Sequence, residues 1–367
     1  MNQKRKGVDL RHLEEDCCFA ASNSAHGFHS YYAEFFDDAE IDRVFVIKGG
    51  PGTGKSRFMR EVSDHAAARG WRSRMIYCSS DADSLDGVIL QRGERRWAFL
   101  DGTSPHVYEP KNPGVREEII NLGAFWDSHR LGERREEIAR LNRIKQEGYR
   151  LAYRYLSAYG SIWENHRARV APYVNLQAIS DYARKLTSQI PVGQSFSSKT
   201  CVMESVGMSG RVSFDSFLYQ ASRLYLIDDC RGIALYLTEA LYRLAKEKKQ
   251  RVRVCRNPIM PDLIDGIFFA ESGIAIAIRP HADVDLPHHR ISMRRFLGGS
   301  GLQETRDAAA FDERMMRAML DGALEEMKTV RAAHFALEEI YSSSMDFDAK
   351  EEFTKSFCNR WFDLKNL

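Results

Sequence analysis

The 367-residue sequence predicts a duplicated α/β protein, each half a three-layer α/β/α sandwich with helical hairpin insertions. Three observations carry this expectation. An apolar run, Val44-Phe45-Val46-Ile47, enters a glycine-rich loop, and Phe58, Met59, Val62 and Ala66 then recur at helical spacing until Gly70. The same order of elements returns about 180 residues later. Residues 115–190 and 304–363 carry helical periodicity, with Ile138, Leu141, Ile144, Leu151 and Leu156 forming a stripe that Pro172 interrupts.

The repeat is weak but long. Arg43-Val44-Phe45-Val46-Ile47 matches Arg223-Leu224-Tyr225-Leu226-Ile227 at a shift of 180, and Asp83 to Val88 matches Asp262 to Ile267 at a shift of 179. Upstream, Gly27 to Tyr31 is answered by Gly210 to Phe214. Each copy reads as strand, loop, helix, strand and hairpin, with about four strands apiece. Pro191 to Lys199 is rich in turn formers and reads as a linker, placing the boundary near residue 200, so that the units are 1–199 and 200–367. Gly298 to Gly301 breaks the second core from its carboxyl-terminal helices.

The first loop, Gly49-Gly50-Pro51-Gly52-Thr53-Gly54-Lys55-Ser56, fills the phosphate-loop pattern at every specified position. Successive amides of such a turn form a nest for an anion, and the positive end of the following helix points at the same spot. Lys55 is expected to reach the outer phosphates and Ser56 to ligate Mg2+. Phosphoryl chemistry also needs an acid at the end of a buried strand; Asp101, after Trp97-Ala98-Phe99-Leu100, fits as the magnesium-organising carboxylate, unless it only caps the Gly102-Thr103 turn. These features together predict the P-loop NTPase fold, binding ATP and Mg2+. An N-K-x-D element of the kind that selects guanine is absent, which favours ATP over GTP.

The second copy has lost this chemistry. At the shift of 180 the loop reads Asp229 to Tyr236, with Ala234, Leu235 and Tyr236 in place of Gly54, Lys55 and Ser56, and its later strand runs into Arg279 instead of an acid. Asp83, Asp86 and Gly87 persist as Asp262, Asp265 and Gly266 and therefore read as structural. His106 is echoed by His281 and reads as a loop-packing residue, while His281, His288 and His289 match no common metal spacing.

Other features narrow the function classes. Lys plus Arg (53) nearly balances Asp plus Glu (51), so a net charge of +2 gives no overall field toward nucleic acid or anionic lipid. A composition of 44% hydrophobic and 28% charged residues suits an ordinary globular chain with no membrane partner, and seven scattered cysteines suit reduced thiols, together pointing to the cytoplasm. Gly102 stands where many motors place a water-activating glutamate, leaving Glu109 or His106 as bases or a partner-dependent reaction. Arg92, Arg95, Arg96, Arg130, Arg134 and Arg135 are candidates for a charge-neutralising finger. Tyr149, Tyr153, Tyr155 and Tyr159, interleaved with Arg150 and Arg154, read as helix packing ahead of a nucleic-acid stacking surface.

GFHSYYAEFF, RVFVIKGGPGTGKS, IYCSSDADSLDGVIL, AFLDGTSPHVYEPKNPG and EEIINLGAFWD together resemble a bacterial family of tandem-duplicated, P-loop-containing ATPase-like proteins, over nearly the whole chain. The resemblance implies a pseudo-twofold pair of nucleotide sites, since both halves of such proteins commonly carry a phosphate loop; here only Gly49 to Ser56 and Asp101 carry over. It implies a nucleotide and no substrate. The expected function is an ATPase coupling Mg-ATP binding and hydrolysis to conformational change and to a protein or nucleic-acid partner. The alternatives are a small-molecule kinase, with Asp81, Asp83 and Asp86 around the acceptor, and a noncatalytic ATP-gated scaffold.

Overall fold

A computed structural model of the chain describes residues 16–279 and 286–363. The first copy begins with β1 (Asp16–Phe19), a hairpin of β2 (Ala21–Ser24) and β3 (Gly27–Ser30), and a short helix α1 (Tyr32–Phe36). It continues through β4 (Arg43–Lys48), α2 (Lys55–Ala67), β5 (Arg72–Tyr77), β6 (Leu85–Arg92), β7 (Arg95–Asp101) and β8 (Glu117–Asn121). Three helices follow: α3 (Ser128–Glu133), the 36-residue α4 (Arg135–Val170) and α5 (Leu176–Leu186).

The second copy repeats this list. It comprises β9 (Ser197–Cys201), β10 (Glu204–Gly207), β11 (Gly210–Ser213), α6 (Ser216–Tyr219), β12 (Arg223–Asp228), α7 (Ala234–Glu247), β13 (Arg251–Arg256), β14 (Ile264–Phe269), β15 (Ile274–Ile278) and β16 (His289–Ser292). The helices α8 (Gly301–Glu304), α9 (Arg306–Ser342, 37 residues) and α10 (Phe347–Phe362) close the chain as described.

Two six-stranded sheets result, ordered β1-β5-β6-β7-β4-β8 and β9-β13-β14-β15-β12-β16. Corresponding pairs have the same sense: β6 is antiparallel to both neighbours, as is β14, and the other pairs are parallel. Even the irregularities coincide. The register slips after Ile76 in β5 and after Cys255 in β13, and Gly27 and Gly210 turn their hairpins at φ 93° and 92°. The duplication is thus a property of the backbone, although few side chains repeat.

Each sheet has six strands, not about four. The additional ones, β1, β8 and their counterparts β9 and β16, are the edges of four or five residues, too short for alternation to stand out. The stretch expected to be helical from residue 115 therefore opens with a strand. Layering also differs from expectation. In the first half α2 and α10 cover one face, while the opposite face carries α1 and shares one apolar cluster with Leu224, Leu226, Ala275 and Ala277 of the second sheet and with Phe217 and Leu218 of α6. The second helical layer of an independent sandwich is reduced to these short helices because the other half closes that face.

The long helices do not form a hairpin within either half. Helix α4 runs antiparallel to α9: Leu141 clusters with Leu337 and Ile340, Leu156 with Leu320 and Ala323, and the His166 end meets Asp312. At Gly148 the axes approach so closely that a Cβ would sit 2.7 Å from Val330. Helix α4 ends at Val170, two residues before Pro172, whose missing amide cannot continue the helical ladder. It delivers α5 to the second half, where Ile179 and Ala183 join the core under α7; α9 returns to deliver α10 to the first.

There Phe357 packs against Phe45, Phe58 and Phe99, and Trp361 against Phe45 and Trp97. Isolated bridges mark the two crossings, Trp126 with Met345 and Val174 with Leu297. The boundary near residue 200 divides the sequence repeat but not the cores. Within the expected linker, Gly193 donates to the Lys248 carbonyl and Gln250 to that of Pro191, so the segment is fastened to the second half.

Phe357→Ala should therefore destabilise the first half from within the second, by about 3–5 kcal/mol. Urea unfolding followed by Trp71 and Trp97 fluorescence and by far-UV circular dichroism should give coincident transitions shifted to lower urea.

Candidate functional site

Strand β4 ends at Lys48, and the chain turns through Gly52 (φ 69°) and Gly54 (φ 81°) before α2 starts at Lys55. Both values lie in the left-handed region, where only glycine is unstrained. The N-cap of α2 is Gly54, which has no side chain to offer the first amides of the helix. Thr53 is buried and its Oγ1 donates to the Gly50 carbonyl at 2.9 Å, fixing the turn. Pro51 lies at the crest of the loop, half-buried.

Lys55 Nζ donates to the carbonyls of Gly49 (3.0 Å) and Gly50 (2.8 Å) and lies 3.5 Å from Asp101 Oδ2. Asp101 stands opposite Ile47 on the adjacent parallel strand. Oδ1 accepts from the amide and hydroxyl of Thr103, so Asp101 caps the turn as its second reading expected, while Oδ2 faces Lys55. Burial raises the Asp101 carboxyl above its ordinary range, against the lowering effect of Lys55 and Thr103. Ser56 Oγ accepts from the Leu85 amide at 3.0 Å, tying the start of α2 to β6. The structure thus brings Gly49 to Ser56 and Asp101 into one place.

Packing accounts for Gly102: a side chain there would run into Val46 Cγ1 and come within 3.3 Å of Lys48 Nζ, which itself donates to the Gly102 carbonyl at 2.6 Å. Glu109 is exposed beside Lys48 at 3.9 Å. Arg92, Arg95 and Arg96 lie at the hairpin end of β6 and β7, opposite the Asp101 end, and Arg96 pairs with Glu40. Arg130 binds the Ser343 carbonyl and Arg134 pairs with Glu137. Tyr153 donates to Asn23 and Tyr155 packs over Gly322, in keeping with helix packing.

A cover over the loop comes from the second half. A Cβ at Gly50 would meet the Tyr341 ring at 2.8 Å and one at Gly52 the Glu338 carbonyl oxygen at 2.5 Å; Phe347 and Lys350 stand 3.8 Å from the same point at Gly54. The Glu338 carboxylate accepts from the Gly52 backbone and is held below its usual range, chiefly by His334. Lys350, buried, pairs with Glu61 on α2 at 3.1 Å. From α4, Lys145 is lowered by burial and by the charge of Lys55.

Behind Lys55 lies a cluster that the sequence reading did not assemble. Cys78 follows β5, Asp86 is the second residue of β6, and His106 lies in the loop after β7. Asp86 lies inside the strand, and Gly87 makes room for the Phe36 ring. His106 is indeed buried, stacked on Tyr32 at 4.6 Å, but its Nε2 is also 3.1 Å from Asp86 Oδ2. Burial lowers the His106 pKa and the Asp86 carboxylate more than offsets it, leaving a net rise. Asp81 and Asp83 are turn residues, Asp81 accepting from Ser84 Oγ and Asp83 offering its carbonyl to Arg60.

The second loop is built differently. Asp229 Oδ2 accepts from the Gly232 amide (2.9 Å) and Oδ1 from the Ala234 amide (2.8 Å), so its carboxylate fills the amides that open α7. Ile278, opposite Ile227, takes the place of Asp101, whereas Arg279 takes that of Gly102, a one-residue correction to the alignment read from sequence. Asn257 stands at the position of Cys78 and donates to both oxygens of Asp265. His281 lies outside the described residues; His288 bonds the Leu286 carbonyl and His289 stacks on Tyr225.

No family model, curated protein or solved structure matches the chain. Among the described residues no helix is long and apolar enough to cross a membrane.

Burial pushes the Asp265 carboxyl up to about 7, against the lowering effect of Asn257. The folded state therefore holds a proton that the unfolded state releases near pH 4, so this residue costs stability progressively as pH rises from about 4 to about 7. Asp265→Asn, which keeps the shape of the protonated acid, should gain stability relative to the parent between pH 5 and pH 8; paired urea titrations across that range measure the difference.

Proposed function

We propose that the chain is an ATPase that binds Mg-ATP at Gly49 to Ser56, with Asp101 completing the magnesium site, and couples hydrolysis to movement of the long helices. One observation carries this reading. The first loop has no acceptor of its own: Gly54 caps α2 without a side chain, Lys55 and Asp101 frame the turn, and the Gly52 amide is met only by Glu338 from the distant α9, whereas Asp229 of the second loop itself fills the corresponding amides of Gly232 and Ala234. One loop carries its own anion and the other borrows a displaceable one.

When bound, the nucleotide supplies the transferable phosphoryl group and Mg2+ neutralises its oxygens. The chain's own part follows from its contacts. Lys55, now on the Gly49 and Gly50 carbonyls, would hold the outer phosphates, and Asp101 and Ser56 would hold the magnesium. Glu338 must leave the Gly52 amide, because two anions cannot share one nest. Since Glu338 lies on α9, which pairs with α4 and leads into α10, its displacement moves the cover as a unit.

Phosphate release from ATP should be magnesium-dependent and fall by about a hundredfold or more in Lys55→Ala. Equal rates in the two proteins, or phosphate recovered on an added metabolite instead of in solution, would overturn the ATPase reading. Glu338→Gln, which removes the competing charge, should bind ATP about tenfold more tightly by calorimetry.

A further inference from the structure

Three segments bring Cys78, Asp86 and His106 together so that one donor atom from each lies within 4.8 Å of the others. Asp86 and His106 are buried, at 3% and 6% exposure, in the half that carries the glycine loop. A His106–Asp86 ion pair would be the ordinary explanation, and the two groups do attract one another, but the pair is not an aligned hydrogen bond. Asp86 Oδ2 and His106 Nε2 are 3.1 Å apart without the alignment of donor to acceptor, leaving Asp86 Oδ2 with no hydrogen-bond partner; His106 Nδ1 has none either. Buried polar atoms without partners are rare and costly.

The arrangement is that of groups facing a common centre. In a tetrahedral zinc site with nitrogen and oxygen ligands, the two donor atoms are separated by about 3.3 Å, close to the separation observed between Asp86 and His106. A thiolate, a carboxylate and a neutral imidazole carry two negative charges, which one divalent cation neutralises.

The twin supplies the control. Asp265 occupies the position of Asp86, but there Asn257 donates to both carboxylate oxygens, at 3.2 and 3.0 Å, and satisfies the group without an ion. Replacing that amide by the Cys78 thiol removes the donors and adds a soft ligand. The exchange occurs in the copy that keeps Lys55 and Asp101.

We propose that Cys78, Asp86 and His106 form a three-ligand site for one borderline-soft divalent transition cation of the zinc class, with the fourth position left for water or substrate. This site is separate from the hard-cation site of Ser56 and Asp101 and does not rest on the nucleotide reading.

The test uses the full chain, stripped with a chelator under reducing conditions and titrated with Co2+ in the absence of nucleotide. One equivalent should produce a thiolate-to-cobalt charge-transfer band and tetrahedral visible bands, which Zn2+ abolishes. Cys78→Ser should remove the charge-transfer band, and Asp86→Asn and His106→Gln should each weaken binding by about tenfold or more. Lys55→Ala and Cys201→Ala should retain it. Absence of the band in the parent protein, or its survival in a Cys78→Ser protein with native circular dichroism, would overturn the proposal. Failure of ATP binding in the parent with the cobalt site intact would sink the nucleotide reading alone.

Discussion

The exchange of helices between the halves is the constraint on which the rest depends. Phe45, Phe58 and Phe99 present an apolar surface that α2 covers only in part, and Phe357 and Trp361 from α10 complete it. Reciprocally, Ile179 and Ala183 complete the core around α7. Each copy therefore has a sheet of its own and a borrowed helical layer, and α4 with α9 forms the tie between them. The same tie brings Tyr341, Glu338 and Phe347 onto the glycine loop. Covering the loop is a direct result of how the core is closed.

Against that common frame the copies solve one problem in opposite ways. A helix that starts without a capping side chain leaves amides that need an acceptor. Asp229 satisfies them in the second half, at the cost of any external anion, and the neighbouring carboxyl Asp265 is satisfied by Asn257. In the first half neither group has a local partner: Gly49 has no side chain to offer, so the Gly52 amide is met by Glu338 from α9, and Cys78 replaces the amide donor. The first copy thus leaves to distant groups what the second satisfies within its own loops, on the same backbone.

Much of this was legible in the residues. The eight loop positions and Asp101 form a local pattern whose spacing is set by one turn and one strand, and the structure places them together as that spacing requires. The repeat was legible because the parallel strands β4 and β12 are buried on both faces and keep nearly continuous apolar runs. Edge strands β1, β8, β9 and β16 were not, since so few residues carry too little periodicity. The Cys78, Asp86 and His106 cluster was missed because its members come from three separate segments; the one available signal was Asn257 against Cys78 at the same shift that pairs Asp83 with Asp262. The pairing of α4 with α9 was hidden for a different reason. An apolar stripe reports that a helix has a partner and not which one, and short loops favour the reading in which the partner is the next helix in the chain.

Because α10 follows every other described element, the ribosome finishes the first sheet before the residues that shield it exist. At roughly 5–20 residues per second, the α2 face waits on the order of tens of seconds, a long interval for an aromatic surface in a crowded cytosol or a translation extract. Loss of the last helix would make that exposure permanent, since Phe357 and Trp361 are the residues that end it.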